Sequence, residues 1–303
     1  MSKKTTYLLG ILLTIGLGTL LYHYFCCSKN CCENGEMNAT TPTIAATAET
    51  TTKSNFALKG KDIDYHCSGD FNFLSNDFKS ILPINDSINL GIGNLKTLFD
   101  KGGKNLTITG YALSSEKNNS AFENLGMARA NDVKNYFVSK GIPATSIDIK
   151  GEVKDDLLKD ETTVYGSVRY LISEITADTP KEDFAVLKAK INANPLILYF
   201  NTGQASIDLS VEDRKKVTDI AHYLDNVADA KLDVVGHTDN VGDRTVNTKL
   251  GLGRADFAKN YLVSNGIDTN KIDSSSKGPD QPIADNKTAE GKAKNRRTEV
   301  KIK

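Results

Sequence analysis

Asp239 and Arg254 are the two side chains whose types and setting suggest chemistry. An apolar alternation, Leu232 and Val234, runs into Gly236-His237-Thr238-Asp239, and then come Gly242, Asn247, Leu250 and Arg254-Ala255. The pattern predicts a strand that ends in a polar turn carrying a carboxylate, followed by a helix carrying one guanidinium. Such a pair suits a small zwitterion. The carboxylate holds an ammonium, and the guanidinium grips a carboxylate as a two-pronged fork. Taken singly, Asp239 would close a turn or cap a helix, and Arg254 would be an exposed helical arginine. The pair gains meaning because a strand–turn–helix unit returns both to one place. His237 does not read as a catalytic base. No nucleophilic Ser or Cys motif and no metal-ligand spacing accompanies it, and neighbours in a strand face opposite ways. The sequence therefore points to binding without catalysis, with no cofactor and no metal.

The elements that must position this pair follow from periodicity. Pro195 to Phe200 reads as a strand. Ser210 with Asp213 resembles a capping box, and Val217, Ile220, Ala221, Leu224 and Val227 recur at helical spacing. A strand over 232–235 follows, then a helix over 245–265 expected to bury Leu250, Phe257, Ala258, Tyr261 and Leu262. Gly266 suits its C-terminal cap. Strands near Ile272 and over 298–302 complete the unit. Strands alternating with helices predict an α+β fold, an α/β sandwich with a small mixed sheet and helices on one face.

The chain repeats itself. Leu106-Thr-Ile-Thr-Gly110 parallels Leu232-Asp-Val-Val-Gly236, and Asn135-Tyr136-Phe137-Val138-Ser139-Lys140-Gly141-Ile142 parallels Asn260-Tyr261-Leu262-Val263-Ser264-Asn265-Gly266-Ile267. Two tandem βαβαβ-type domains are expected, at 56–176 and 182–303, joined by the short breaker-containing link Ala177-Asp178-Thr179-Pro180. The first departs where it matters. Gly110-Tyr111-Ala112-Leu113 has no carboxylate, although Arg129 persists. That domain is expected to keep the fold, to lack the zwitterion site, and to serve as a spacer or a surface for a protein partner.

The segment from Gly236 to Ala255, with Tyr261-Leu262, Gly266-Ile267, Lys277-Gly278, Pro282 and Asn295-Arg296-Arg297-x-Glu299, resembles the OmpA-like peptidoglycan-binding domain. The resemblance implies a ligand: the diaminopimelate of the peptidoglycan stem peptide, whose side chain ends in an amine and a carboxylate. By resemblance Asp239 contacts the ammonium and Arg254 the carboxylate, Thr238 and nearby amides help hold the carboxylate, and Asn247 supports the loop. Of Arg296 and Arg297 one is expected to pair within the domain, with Arg297 carried as a further ligand candidate. Gly251 stands where the family often has serine.

The N-terminus sets the location. Lys3 and Lys4 precede a run from Thr5 to Cys27 that lacks charge and is dominated by leucine and isoleucine. It is long enough to span a bilayer, and Tyr22-His23-Tyr24-Phe25 resembles an interfacial belt rather than a small-residue cleavage site. Residues 1–27 are thus expected to be an uncleaved anchor, with the membrane contacted through 5–27 and the rest exported to the periplasm. The alternative is an outer-membrane protein whose leader is removed. Residues 28–55 read as a Thr/Ala-rich tether. At its membrane end Cys26, Cys27, Cys31 and Cys32 fit disulfides in an oxidising compartment better than any zinc spacing. The chain has 303 residues and equal numbers of basic and acidic ones, 38 each, so nothing global points to nucleic acid. The expected function is non-covalent binding of the stem peptide, tethering membrane to cell wall. A stator-type or other envelope-complex subunit would share that layout, but no ionisable residue lies within 5–21 to conduct protons. A wall hydrolase would need paired carboxylates or a metal site.

Overall fold

Apolar residues at helical spacing, Ile88, Ile92, Leu95 and Phe99, make the inward face of α1 (Asp86–Phe99), and Asn85 caps it by accepting from the Ser87 amide. The structure is a computed structural model that describes residues 54–176, 182–199 and 209–303. The proposed anchor, its cysteine cluster, most of the tether and the link at 177–181 lie outside those residues. Among the described residues no helix is long and apolar enough to cross a membrane.

The first block begins with an antiparallel hairpin, β1 (Asn55–Gly60) and β2 (Ile63–Ser68), and a small pair, β3 (Phe73–Leu74) with β6 (Thr163–Val164). Its main sheet centres on β4 (Lys104–Ala112), parallel to β5 (Ile147–Val153) and antiparallel to β7 (Val168–Glu174). Helix α2 (Leu125–Ser139) makes the crossover that a parallel pair requires. Phe56, Phe71, Phe137 and Tyr170 pack together beneath this sheet.

In the second block α3 (Phe184–Ala193) leads into β8 (Leu196–Tyr199), and α4 (Val211–Asn226) leads into β9 (Leu232–His237). Ser210 Oγ accepts from the Asp213 amide at 3.1 Å, the N-terminal cap anticipated, and donates to the Asp213 carboxylate at 2.6 Å. Then come α5 (Arg244–Ser264), β10 (Ile272–Gly278), α6 (Ala289–Asn295) and β11 (Arg297–Ile302). The strand order is β10-β9-β11-β8. Strand β9 thus has the neighbours β4 has, one parallel and one antiparallel. Leu232, Val234, Val300 and Ile302 face the helices and are buried.

One expectation about α5 fails. Leu250 is not core but 49% exposed. The buried stripe is Asn247, Gly251, Ala255, Ala258 and Leu262, and these short side chains let the helix lie close on the sheet, with Leu250 turned one step outward.

The two blocks touch. Ala121, Phe122 and Ala128 of the first belong to the same apolar cluster as Leu224, Ala258, Leu262 and Ile267 of the second. The Ala121 amide donates to Asn265 Oδ1 at 2.7 Å, Asn131 Nδ2 to the Asn265 carbonyl at 3.2 Å, and Asn135 Nδ2 to the Gly266 carbonyl at 2.9 Å. Lys134, almost fully buried, pairs with Asp225. The described residues accordingly group as one compact unit.

Candidate functional site

Two glycines set the geometry. A Cβ on Gly236 would lie 1.8 Å from the Gly251 carbonyl oxygen, and one on Gly251 would lie 2.3 Å from Ser276 Oγ. Only hydrogen side chains let α5 pack this tightly on the end of β9, and this close approach brings Arg254 over the strand terminus. Arg254 Nη1 donates to the His237 carbonyl at 3.2 Å.

Past His237 the chain turns sharply. The Asp239 carboxylate accepts from the Val241 amide at 3.1 Å through Oδ1, and from Arg296 Nη1 at 2.9 Å through Oδ2. Arg296 and Asp239 are mostly buried, with side chains 24% and 14% exposed, and Arg296 Nε has no partner among the described residues. Arg254 feels both. Burial first, then the Arg296 charge, pulls its guanidinium below the usual arginine range, and Asp239 opposes this. Two guanidiniums and one carboxylate therefore share the strand end.

The remaining candidates take other places. Thr238 is 2% exposed. Its amide donates to the Gly278 carbonyl at 2.9 Å and its hydroxyl to the Asp239 carbonyl at 2.8 Å. Both of its donors have partners inside the turn, so it braces the loop. Asn247, 5% exposed, donates to the Val241 carbonyl at 2.9 Å and fixes the loop to the first turns of α5. Asp243 caps that helix by accepting from the Thr245 and Val246 amides.

Arg297 needs a correction as a ligand candidate. It is 2% exposed, donates through Nε to Glu299 Oε1 at 2.7 Å, and reaches the Gln281 carbonyl at 3.2 Å. The arginine that meets Asp239 is its neighbour. Strand alternation, continued one residue back from β11, carries the reason. Thr298, Val300 and Ile302 face the helices, so Arg296 shares their side with Arg254. Arg297, Glu299 and Lys301 fall on the other face, where they form a row of ion pairs.

His237 is buried with Nδ1 unpartnered among the described residues. Burial first, and then the Arg297 charge, lowers its pKa to about 4, so it is neutral near pH 7. Among the described residues no group of His, Cys, Asp and Glu could hold a metal ion.

The first block offers an internal counterpart. Arg129 Nη1 donates to the Tyr111 carbonyl at 3.0 Å, as Arg254 does to His237. Its Nη2 and Nη1 also hold both oxygens of Glu116, at 2.6 and 3.0 Å, and the two side chains are 0% and 1% exposed. Burial alone would raise the Glu116 pKa, but Arg129 and the Leu113 and Asn76 amides outweigh it and hold the carboxyl below the usual range. Where β4 ends, a carboxylate from the chain itself already fills the fork.

The sequence pattern of the OmpA family matches residues 90–170 and 199–296, together more than half of the chain. The chain is 40% identical over 126 residues to outer membrane protein A of Bordetella avium, covering 42% of this chain and 63% of that protein. It is 31% identical over 159 residues to the peptidoglycan-binding protein ArfA of Mycobacterium bovis, covering 50% of this chain and 48% of that protein. It spans less than two thirds of the length of either relative. Among solved structures, the peptidoglycan-associated lipoprotein from Burkholderia pseudomallei aligns with a TM-score of 0.32 at 23% identity, over 35% of this chain and 89% of that one. With that pattern matched over more than half of its length, the chain belongs to the OmpA family.

Proposed function

We propose that the second block binds the zwitterionic end of a peptidoglycan stem peptide, that of diaminopimelate, without catalysis. Arg254, with Arg296 beside it, takes the carboxylate. Asp239 takes the ammonium. The observation that carries this reading is the convergence of Arg254, Arg296 and Asp239 at the end of β9, which sets groups of both signs side by side for a ligand that carries both. The filled fork of Arg129 and Glu116 supports it, because an arginine at the matching place in the first block holds a carboxylate by two bonds. The name of the ArfA relative states peptidoglycan binding, and we extend that to this chain.

In the same reading the chain is a tandem duplication in which the first copy, its fork filled from within, serves as a spacer or a partner surface. Residues 5–27 hold the membrane, residues 28–55 give reach, and the protein tethers the envelope to the wall. Each charge-assisted hydrogen bond in the site is worth roughly 1.5–3 kcal/mol net.

A pull-down on purified peptidoglycan tests the site. Asp239→Ala and Arg254→Ala, each checked for native circular dichroism, are expected to lose at least about tenfold in retention, the equivalent of ~1.4 kcal/mol. Wall in which lysine replaces diaminopimelate removes the side-chain carboxylate and is expected to bind more weakly than diaminopimelate wall. Retention of both variants at the parent level would refute the assignment.

A further inference from the structure

The first block carries a cavity lined by other side chains than the Arg129–Glu116 fork. Strand β1 runs beside β7: the Phe56 and Tyr170 rings lie 4.9 Å apart, and a Cβ on Gly60 would lie 3.3 Å from Ile172. The two strands nevertheless belong to different sheets and share no ladder. In the second block the strand beside β11 is zipped to it by a full register. The unzipped seam of the first block opens into a cleft of about 350 Å³, large enough for one sugar-sized molecule.

Its walls are unlike an ordinary solvated surface. Lys59, Lys154 and Arg169 all line it. Lys59 and Arg169 are exposed, and neither has an ion-pair partner among the described residues. Lys154 sits 5.5 Å from the centre of the Tyr111 ring and has only a long contact, 3.6 Å, with the exposed Asp156. Three cations thus converge on one concavity with little to neutralise them.

The floor is polar and built. Asp70 is 8% exposed, and its Oδ1 accepts both from the Phe71 amide at 2.8 Å and from the Tyr170 hydroxyl at 3.2 Å. Asp70 is among the residues that line the cleft. Burial raises its pKa to about 7, so near neutrality a large fraction is protonated and can donate to an oxygen. A ligand that satisfies these walls needs an anionic group for the cations and hydroxyls for the floor.

We propose that the cleft between β1 and β7 binds a small acidic sugar, its carboxylate or phosphate held by Lys59, Lys154 and Arg169 and its hydroxyls by Asp70 and the rim. The site is separate from the Asp239 pocket, on a block whose own fork is filled.

The test is a titration of the full-length chain with three probes at matched ionic strength: glucuronate, glucose 6-phosphate and glucose. Binding is read by calorimetry and by the shift in thermal midpoint. The expected result is saturable binding of at least one anionic sugar in the millimolar range and at least tenfold weaker binding of glucose. The double variant Lys59→Ala/Arg169→Ala, which alters only exposed side chains, should lose at least tenfold in affinity with its unliganded midpoint unchanged, and Asp239→Ala should bind as the parent does. A response to glucuronate alone or to glucose 6-phosphate alone supports the proposal and identifies the anion. No saturable binding of either, equal binding of glucose, or parent-level binding by the double variant overturns it.

Discussion

Two buried titratable groups, one in each block, work against each other as pH changes. His237 titrates near 4 in the folded chain, held down by burial and by Arg297, with Lys301 and Lys277 adding to this and Glu299 opposing. Its ordinary value is 6.5. Between those values the unfolded chain takes up a proton that the native chain refuses, so acidification removes stability. Asp70 titrates near 7 against an ordinary 3.8, raised by burial and opposed by the Phe71 amide and the Tyr170 hydroxyl. Between those values the native chain keeps a proton that the unfolded chain has released, so raising the pH removes stability. The effects are bounded at about 3 kcal/mol for His237 and about 4–5 kcal/mol for Asp70, and their slopes oppose each other between about pH 4 and 6.5. Urea denaturation between about pH 5 and 6.5, above the range in which lowered carboxyls such as Glu116 lose their contribution, should therefore show a shallow slope in the parent. His237→Asn should leave stability falling as pH rises, and Asp70→Asn should leave it rising with pH. Identical slopes in all three proteins would show that neither group titrates as its burial implies.

At the scale of elements, what the sequence made legible was periodicity and caps. The helix over 245–265 and the Ser210–Asp213 cap were readable because apolar spacing and capping chemistry are local. The surroundings of Leu250 and Arg296 were not, because they depend on how closely α5 lies on β9 and on which face the residue before β11 shares. The contact between blocks was also hidden, since Asn131, Lys134 and Asn135 look like the polar face of a surface helix. Two helix-capping glycines can isolate that contact. Gly141 and Gly266 have φ of +92° and +94°, so alanine meets the same backbone strain at either, of order 1 kcal/mol. At Gly141 the new Cβ would meet the flexible end of Lys96 at 2.9 Å, whereas at Gly266 it would meet Asn131 and Asn135 Nδ2 at 2.6 and 2.7 Å. Gly266→Ala should therefore be the more destabilising by about 1 kcal/mol or more, as those amides lose their bonds to the Asn265 and Gly266 carbonyls. Chemical denaturation of the pair measures the difference, and equal losses would mean that the asparagine contacts contribute nothing.

At the scale of the molecule, the shared cluster decides whether the two blocks fold as one. A repeat whose copies were joined only through residues 177–181 would unfold as two domains, each insensitive to substitutions in the other. Phe122 argues otherwise. It is fully buried, it belongs to the first block, and it lies in the cluster that contains Leu224, Ala258 and Leu262. Asn118 fixes its loop by donating to the Phe122 carbonyl at 2.8 Å, and Asn265 meets the preceding amide. Phe122→Ala removes a large buried side chain, at a cost of about 3–5 kcal/mol. If the cluster is one cooperative unit, part of that loss must appear in the other block. Native-state hydrogen exchange reads this strand by strand. The amides of β9 around Val234, which lie in the unsubstituted block, should exchange at least about tenfold faster in Phe122→Ala, as a shared loss of ~1.4 kcal/mol requires. Faster exchange in β4 with β9 unchanged would show two independent domains. In that case the proposed wall-binding site would be held by the second block alone, and removing the first would leave the arrangement of Asp239 and Arg254 intact.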